Sequence, residues 1–335
     1  MAGQQVAAIF VGRTMADVRI SVIVPVYNEE ANLALLRQRL TAVLEGLAGP
    51  AYEVIFINDG SRDKSIDILH AFAAEDARLR YVNFSRNFGH QIAVWAGLDR
   101  ARGQAIAIID ADLQDPPEVI ADLYARLQQG YEVVYARRRQ RQGESWLKKA
   151  TARAFYRTLA SITSVSIPVD TGDFRIVDRR VVEVLRQMKE HNKFIRGQIA
   201  WVGFRQTYVE YDRHSRHGGT TGYTYGKMLR FALDGITSFS DFPLKLASYM
   251  GFFVAAASFL MGIYALYGRF IRKDYVPGWA SLMLVMLFLG GVQLFSLGII
   301  GEYLSRISQD VKNRPLYVVA DESPEAAVGP AKQGL

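Results

Sequence analysis

The chain has 335 residues, half of them apolar, and no cysteine, which allows one large domain or two smaller ones with a sizeable core and excludes disulfides and thiolate metal sites. Its formal charge of +7 at pH 7 fits work beside anionic lipid. Nucleic acid would suit the charge equally, but neither a helix-turn-helix nor an RNA-binding signature occurs, so no nucleic-acid partner is expected.

Residues 1–18 are expected to be a disordered leader. Their apolar piece, VAAIFV, is too short for a secretion signal and lacks a basic start, and Met15 offers a second start. From residue 19 to about 130, strand and helix patterns alternate. ISVIVPVYN (20–28) is a buried strand ending in a polar turn. The following stretch to residue 48 has helical spacing, with Leu33, Leu36, Leu40, Val43, Leu44 and Leu47 on one side. YEVIFINDGS (52–61), LRYVNFSRN (79–87) and AIAIIDAD (105–112) are further strands, with helices over 62–76 and 89–101. Continuous apolar strands separated by helices imply a parallel sheet covered on both faces. Ligands in such sheets bind at the carboxyl ends of the strands, which here read PVYNEE, NDGS, SRNFGH and DADLQDPP. Neither G-x-G-x-x-G nor G-x-x-x-x-G-K-[ST] is present, so phosphate must be held by other means.

Asp110, Asp112 and Asp115 follow the fourth apolar run. Clustered carboxylates repel one another, so a cation is expected among them. Asp110 and Asp112 flank Ala111, and in an extended segment their side chains point the same way. Such a pair suits Mg²⁺ or Mn²⁺ completed by substrate phosphates, although a polar surface turn is the plainer reading.

Residues 137–159 mix Arg and Lys with Trp146, Leu147, Phe155, Tyr156 and Leu159, and read as an amphipathic helix on a membrane surface or as an ordinary exposed helix. Residues 226–243 are expected to form a second interfacial helix. Residues 246–268 and 275–301 contain no charge and are long enough to cross a bilayer, where about 20 residues suffice. Two helices of a soluble core are the alternative. The short loop between the spans makes a hairpin within 244–304, with both chain ends on one side. Basic residues flank it on both sides, so the positive-inside rule favours cytoplasmic ends only weakly. Gly290, Gly291, Gly298 and Gly301 would allow close helix packing, leaving a homo-oligomer open. Residues 305–335 are read as a cytoplasmic tail, solvated from ADESPEAAVGPAKQGL onward.

The ordered motifs VPVYNEE, NDGSRDKS, NFGHQIAVWAG, DADLQDPPE and TGDFRI resemble the family-2 glycosyltransferases, and among them the polyprenyl-phosphate glycosyltransferases. The resemblance implies an α/β fold of the GT-A type: a nucleotide-sugar-binding domain over 19–225 with a mostly parallel sheet, then interfacial helices and a two-helix transmembrane hairpin. It also implies site roles. Pro25, Tyr27 and Glu29 would hold base and ribose, Asp59 the uracil or its equivalent with Ser61 nearby, and Asn87 would lie where the chain approaches the nucleotide. Asp110 and Asp112 would bound a Mg²⁺ or Mn²⁺ ion and the diphosphate, and Gln114 would face the sugar.

Asp173 would be the carboxylate nearest the acceptor, taken in this superfamily as a general base. A phosphate monoester acceptor is already largely dianionic at neutral pH, so Asp173 is expected instead to orient the acceptor or to stabilise positive charge on the sugar. Relatives carry a basic, Gly-containing loop over the diphosphate. Arg213, Arg216 and Lys227 would correspond, with Arg196 a further phosphate ligand; the sequence has GGTTGY where many relatives have G-x-S-K-Y.

The implied activity is inverting transfer of one sugar from a nucleotide diphosphate to a membrane polyprenyl phosphate, in a plasma membrane of bacterial type with the catalytic domain cytoplasmic. UDP-glucose is the first choice of donor, with GDP-mannose or another UDP-sugar the alternative. A processive polysaccharide synthase is disfavoured by the lack of Q-x-x-R-W and by having only two spans. A non-catalytic scaffold is disfavoured by the intact aspartates.

Overall fold

Strands β1 (Ile20–Val26) and β2 (Tyr52–Asn58) are buried at every position, as unbroken apolar runs require of central strands. The computed structural model describes residues 18–139, 171–213, 242–267, 270–271 and 278–324. Around these strands the chain alternates as the pattern predicts. It runs through α1 (Glu30–Ala48), α2 (Ser65–Glu75), β3 (Leu79–Phe84), α3 (His90–Arg100), β4 (Ala105–Ile108), α4 (Val119–Gln128) and β5 (Val133–Arg138). After residue 170 come β6 (Thr171–Asp178), α5 (Arg179–Gln187), α6 (Ile195–Trp201) and β7 (Gln206–Tyr211).

The eight strands form one sheet in the order β7-β5-β6-β4-β1-β2-β3-β8, where β8 is Val319–Glu322. β1 pairs in parallel with β2 and β4, β2 pairs in parallel with β3, and β5 pairs in parallel with β7. β6 runs antiparallel between β4 and β5. Alternation along β1 divides the core. Val22 and Val24 face Leu33, Leu36 and Leu40 of α1 on one side. Ile23 faces Val94 and Trp95 of α3, with Val181 and Ile195, on the other. This is the GT-A arrangement expected from the sequence.

The start of the C-terminal tail departs from expectation. Ala320–Glu322 are not a free tail but belong to β8, which pairs antiparallel with β3 while Ala320 stays exposed, and Ser323 is buried. The cause is the outer edge of β3, whose backbone groups need partners. Tyr317 anchors the return: its ring stacks on Phe84 at 4.9 Å, and Arg100 Nη1 donates to its hydroxyl at 2.7 Å.

Helices α7 (Phe242–Tyr267) and α8 (Trp279–Lys312) carry the apolar stretches. Phe242–Tyr264 and Ser281–Lys312 are each long and apolar enough to cross a membrane. Phe252, Phe253, Leu287 and Leu294 all stand exposed, so these are not the buried helices of a soluble core. α8 continues past Gly301, where the apolar run ends, because EYLSRISQDVK keeps helical character with a Glu302–Arg306 ion pair one turn apart. Most of the interfacial helices expected at 226–243 and 137–159 falls outside the described residues; Phe242 and Pro243 begin α7.

Candidate active site

β1 lies between β2 and β4, so the chain leaves it in one direction and returns on its other side. A crevice opens at such a reversal. Here it holds a cavity of about 260 Å³, lined by Pro25, Tyr27 and Glu29 after β1, Asp59 after β2, Asn87, Gly89 and His90 at the entry to α3, and Asp110 and Asp112 after β4. Seven residues singled out from the sequence thus meet in one place. Ser61 stands just behind them, accepting from Asn28 N at 3.0 Å. Gln114 is not among the lining residues; its backbone N–H donates to Asp112 Oδ1 at 3.1 Å. Arg216 and Lys227 fall outside the described residues.

The loops are held by their own polar side chains. Asp59 is 3% exposed and accepts from Phe88 N at 2.6 Å and Gly89 N at 3.0 Å, while Asn87 Nδ2 donates to Asp59 O at 3.1 Å. Burial pushes the Asp59 carboxyl up, and the two backbone N–H groups oppose that shift. Its carboxylate therefore clamps the 86–89 loop onto the β2 turn. Gly60 makes this approach feasible: its φ is +67°, and a Cβ there would stand 2.5 Å from the Arg86 carbonyl carbon and 2.6 Å from Asn87 N. Gly60→Ala is expected to cost about 2 kcal/mol or more, from overpacking and a left-handed backbone. Thermal unfolding in detergent would measure it, and an unchanged melting temperature would refute the clamp.

The two metal-ligand candidates lie beyond β4, in a turn and not in the extended segment expected. β4 ends at Ile108, and Leu113 has φ +58°. The Asp112 carboxylate turns back on Gln114 N, which tightens the bend, yet both carboxylates still line the cavity. Burial, opposed by His90, pushes the Asp110 carboxyl up to about 6, with Asp173, Asp115 and Asp112 adding repulsion. Its Oδ1 is buried and has no hydrogen-bond partner among the described residues. Such an oxygen fits a divalent cation, and Asp110 and Asp112 are the pair that would hold one. No group of three or more His, Asp or Glu side chains among the described residues makes a complete cage; a site finished by substrate phosphates does not need one.

Asp173 sits on β6 beside this crevice, 11% exposed. Arg196 forks it, with Nε to Oδ1 at 2.8 Å and Nη2 to Oδ2 at 3.1 Å. Gln91 Nε2 donates to Oδ2 at 3.3 Å, and His90 Nε2 lies 3.0 Å from the same oxygen. Burial opposes the charge of Asp173, but Arg196 and His90 outweigh it and hold the carboxyl well below its ordinary range. Conversely, burial opposes the imidazolium of His90, but Asp173 and Asp110 raise it to about 9. His90 thus bridges the two candidate centres, 3.7 Å from Asp110 Oδ1. Arg175 backs the same group: it is buried, and it donates to Gly172 O at 2.7 Å and Asp173 O at 3.1 Å. His90 and Arg175 were not among the sequence candidates, although both stand inside the quoted motifs. Their signal was adjacency to the Gly89 bend and to Asp173.

Two of the arginines expected to bind phosphate, Arg196 and Arg213, hold carboxylates here, as buried anions demand. Arg196 holds Asp173, and Arg213 Nε donates to the fully buried Asp115 at 3.1 Å, where Tyr211 Oη also donates at 2.5 Å. The cation sought for the third aspartate is therefore Arg213, whereas Asp110 and Asp112 remain directed to the cavity.

Residues 21–186 match the description "Glycosyl transferase family 2" and residues 242–307 match "GtrB C-terminal hairpin". A Bacillus subtilis (strain 168) protein, described as the uncharacterized glycosyltransferase YkcC, is 49% identical over 90% of this chain and 93% of its own. The SfII prophage-derived bactoprenol glucosyl transferase of Shigella flexneri is 42% identical over 90% and 97%. Among solved structures, glucosyl-3-phosphoglycerate synthase from Mycobacterium tuberculosis aligns at 20% identity over 66% of this chain and 78% of its own, with a TM-score of 0.44.

Proposed function

The chain belongs to glycosyl transferase family 2 and is a glycosyltransferase, and from that premise we propose that it transfers a single glucose from UDP-glucose to a membrane polyprenyl phosphate, with inversion at the anomeric carbon. The observation that carries this reading is likeness, across both the catalytic domain and the hairpin, to relatives named bactoprenol glucosyl transferase. The hairpin would hold the crevice at the bilayer surface, with the catalytic domain on the cytoplasmic side where nucleotide sugars are found.

In the proposed reaction an oxygen of the lipid phosphate forms a bond to the anomeric carbon as the bond from that carbon to the UDP oxygen breaks. Tyr27, Glu29 and Asp59 would position the nucleotide in the crevice they line. Asp110 and Asp112 would hold a Mg²⁺ or Mn²⁺ ion, which when bound offsets the charge of the leaving diphosphate. Asp173, ion-paired with Arg196 and His90 and held below its ordinary range, is poorly matched to a general base. The acceptor, already dianionic, does not require one. Its role would be to fix Arg196 and His90 and to face positive charge developing on the sugar ring.

The test is purified full-length protein in vesicles, given radiolabelled UDP-glucose and polyprenyl phosphate. One labelled sugar in the lipid phase is expected. Label from GDP-mannose alone would move the donor to mannose. A growing polymer, or no lipid product from any donor, would overturn the reading.

A further inference from the structure

Between the tail strand β8 and the crevice runs an unbroken chain of side-chain hydrogen bonds that all point one way. Asn83 Nδ2 donates to Asp321 Oδ1 at 2.5 Å. Asn83 Oδ1 accepts from Asn58 Nδ2 at 2.8 Å, and Asn58 Oδ1 accepts from the Ser61 hydroxyl at 2.5 Å. Ser61 Oγ then accepts from the backbone N–H of Asn28 at 3.0 Å. Asn28 stands between Tyr27 and Glu29, two residues that line the cavity. Its φ is +57°, a conformation that costs a non-glycine residue free energy and needs support from its surroundings. That support comes from Ser61 and from Arg62 N, which donates to Asn28 Oδ1 at 2.8 Å.

The direction of the chain is set at its far end. An ionised carboxylate only accepts, so Asp321 obliges Asn83 to present its NH₂ and leaves the Asn83 oxygen for Asn58. The same choice passes through Asn58 and obliges Ser61 to donate forward, which leaves its oxygen lone pairs for Asn28 N. Two observations show that this end is fixed. Asn83 and Asp321 are direct cross-strand partners in the β3–β8 pairing, and His70 Nε2 lies 2.9 Å from Asp321 Oδ2. Partial burial opposes the charge on Asp321, but Asn83 and His70 outweigh it and hold the carboxyl below its usual value.

We propose that Asp321, on the strand that follows the membrane hairpin, is a positioning residue for the donor pocket: through Asn83, Asn58 and Ser61 it fixes the left-handed Asn28 and with it the Tyr27–Glu29 segment that receives the nucleotide. The inference rests on the crevice being the nucleotide-sugar site. It ties donor affinity to the docking of a strand that lies near the opposite end of the chain from Tyr27 and does not line the cavity.

Full-length variants are compared by UDP-glucose affinity, donor KM, kcat and melting temperature. Asp321→Leu removes the terminal acceptor, and Asn83→Asp sets two carboxylates face to face. Each is expected to raise donor KM and Kd about five-fold or more, the weight of roughly one hydrogen bond, with kcat within about two-fold of wild type. The exchange Asn83→Asp with Asp321→Asn places a carboxylate on β3 that accepts from both neighbours, so wild-type affinity is expected to return. Wild-type donor affinity in both single variants would overturn the proposal. So would a failure of the exchange to restore affinity in protein that melts normally. If Asp321→Leu does not fold, Asn83→Asp and the exchange decide. Wild-type protein that binds neither UDP-glucose nor GDP-mannose would instead overturn the donor-site reading on which this inference stands.

Discussion

Asp110→Asn with Asp112→Asn is expected to lower turnover by about a thousand-fold or more while the fold survives. The crevice has two carboxylates directed at it and, in Asp110 Oδ1, a buried acceptor without a hydrogen-bond partner among the described residues. Burial and three neighbouring carboxylates disfavour the charge of Asp110. Its neutralisation should therefore leave the melting temperature equal to or above that of wild type. Loss of preorganised charge at a departing diphosphate removes about 10²–10³ per interaction in comparable electrostatic sites, and this variant removes two groups. Calorimetric titration with UDP separates the explanations. Wild type should bind UDP more tightly with Mg²⁺ or Mn²⁺ and lose that gain on chelation, whereas the double variant should bind equally with and without the ion. Turnover and ion requirement unaltered in the double variant would remove the basis of the proposed mechanism.

Asp173→Asn should lower turnover by about 10²–10⁴-fold, and Asp173→Ala should in addition destabilise the domain by about 3–5 kcal/mol. The second effect follows from the company Asp173 keeps: the Arg196 fork, His90, and the buried Arg175 behind it. Without the carboxylate these cations lie close together with reduced compensation. Asparagine keeps the shape and two polar atoms, so the fold should persist while the electrostatic role is lost. The pH profile distinguishes that role from proton abstraction. If Asp173 only fixes its neighbours, the rate should follow the second ionisation of the acceptor phosphate, near about pH 6, in wild type and in Asp173→Asn alike, at different heights. A variant that regains wild-type rates at high pH would point to a base after all, and one that keeps nearly full activity at neutral pH would leave Asp173 without either role.

Periodicity determined much of this protein. Strands β1 to β4 with their intervening helices, the rim at their carboxyl ends, and two helices apolar on every side were legible because buried parallel strands and helices without a polar face carry unbroken apolar runs. The motif order identified Tyr27, Glu29, Asp59, Asn87, Asp110 and Asp112, and these do line one cavity. Only the tertiary structure assigned the cations. Arg213 serves Asp115, Arg196 serves Asp173, and His90 lies between Asp173 and Asp110. Spacing along a chain carries no record of which charges meet across it. The return of Val319–Glu322 to β3 was hidden for the same reason, since four residues of mixed polarity become a strand only where an open sheet edge supplies their hydrogen-bond partners.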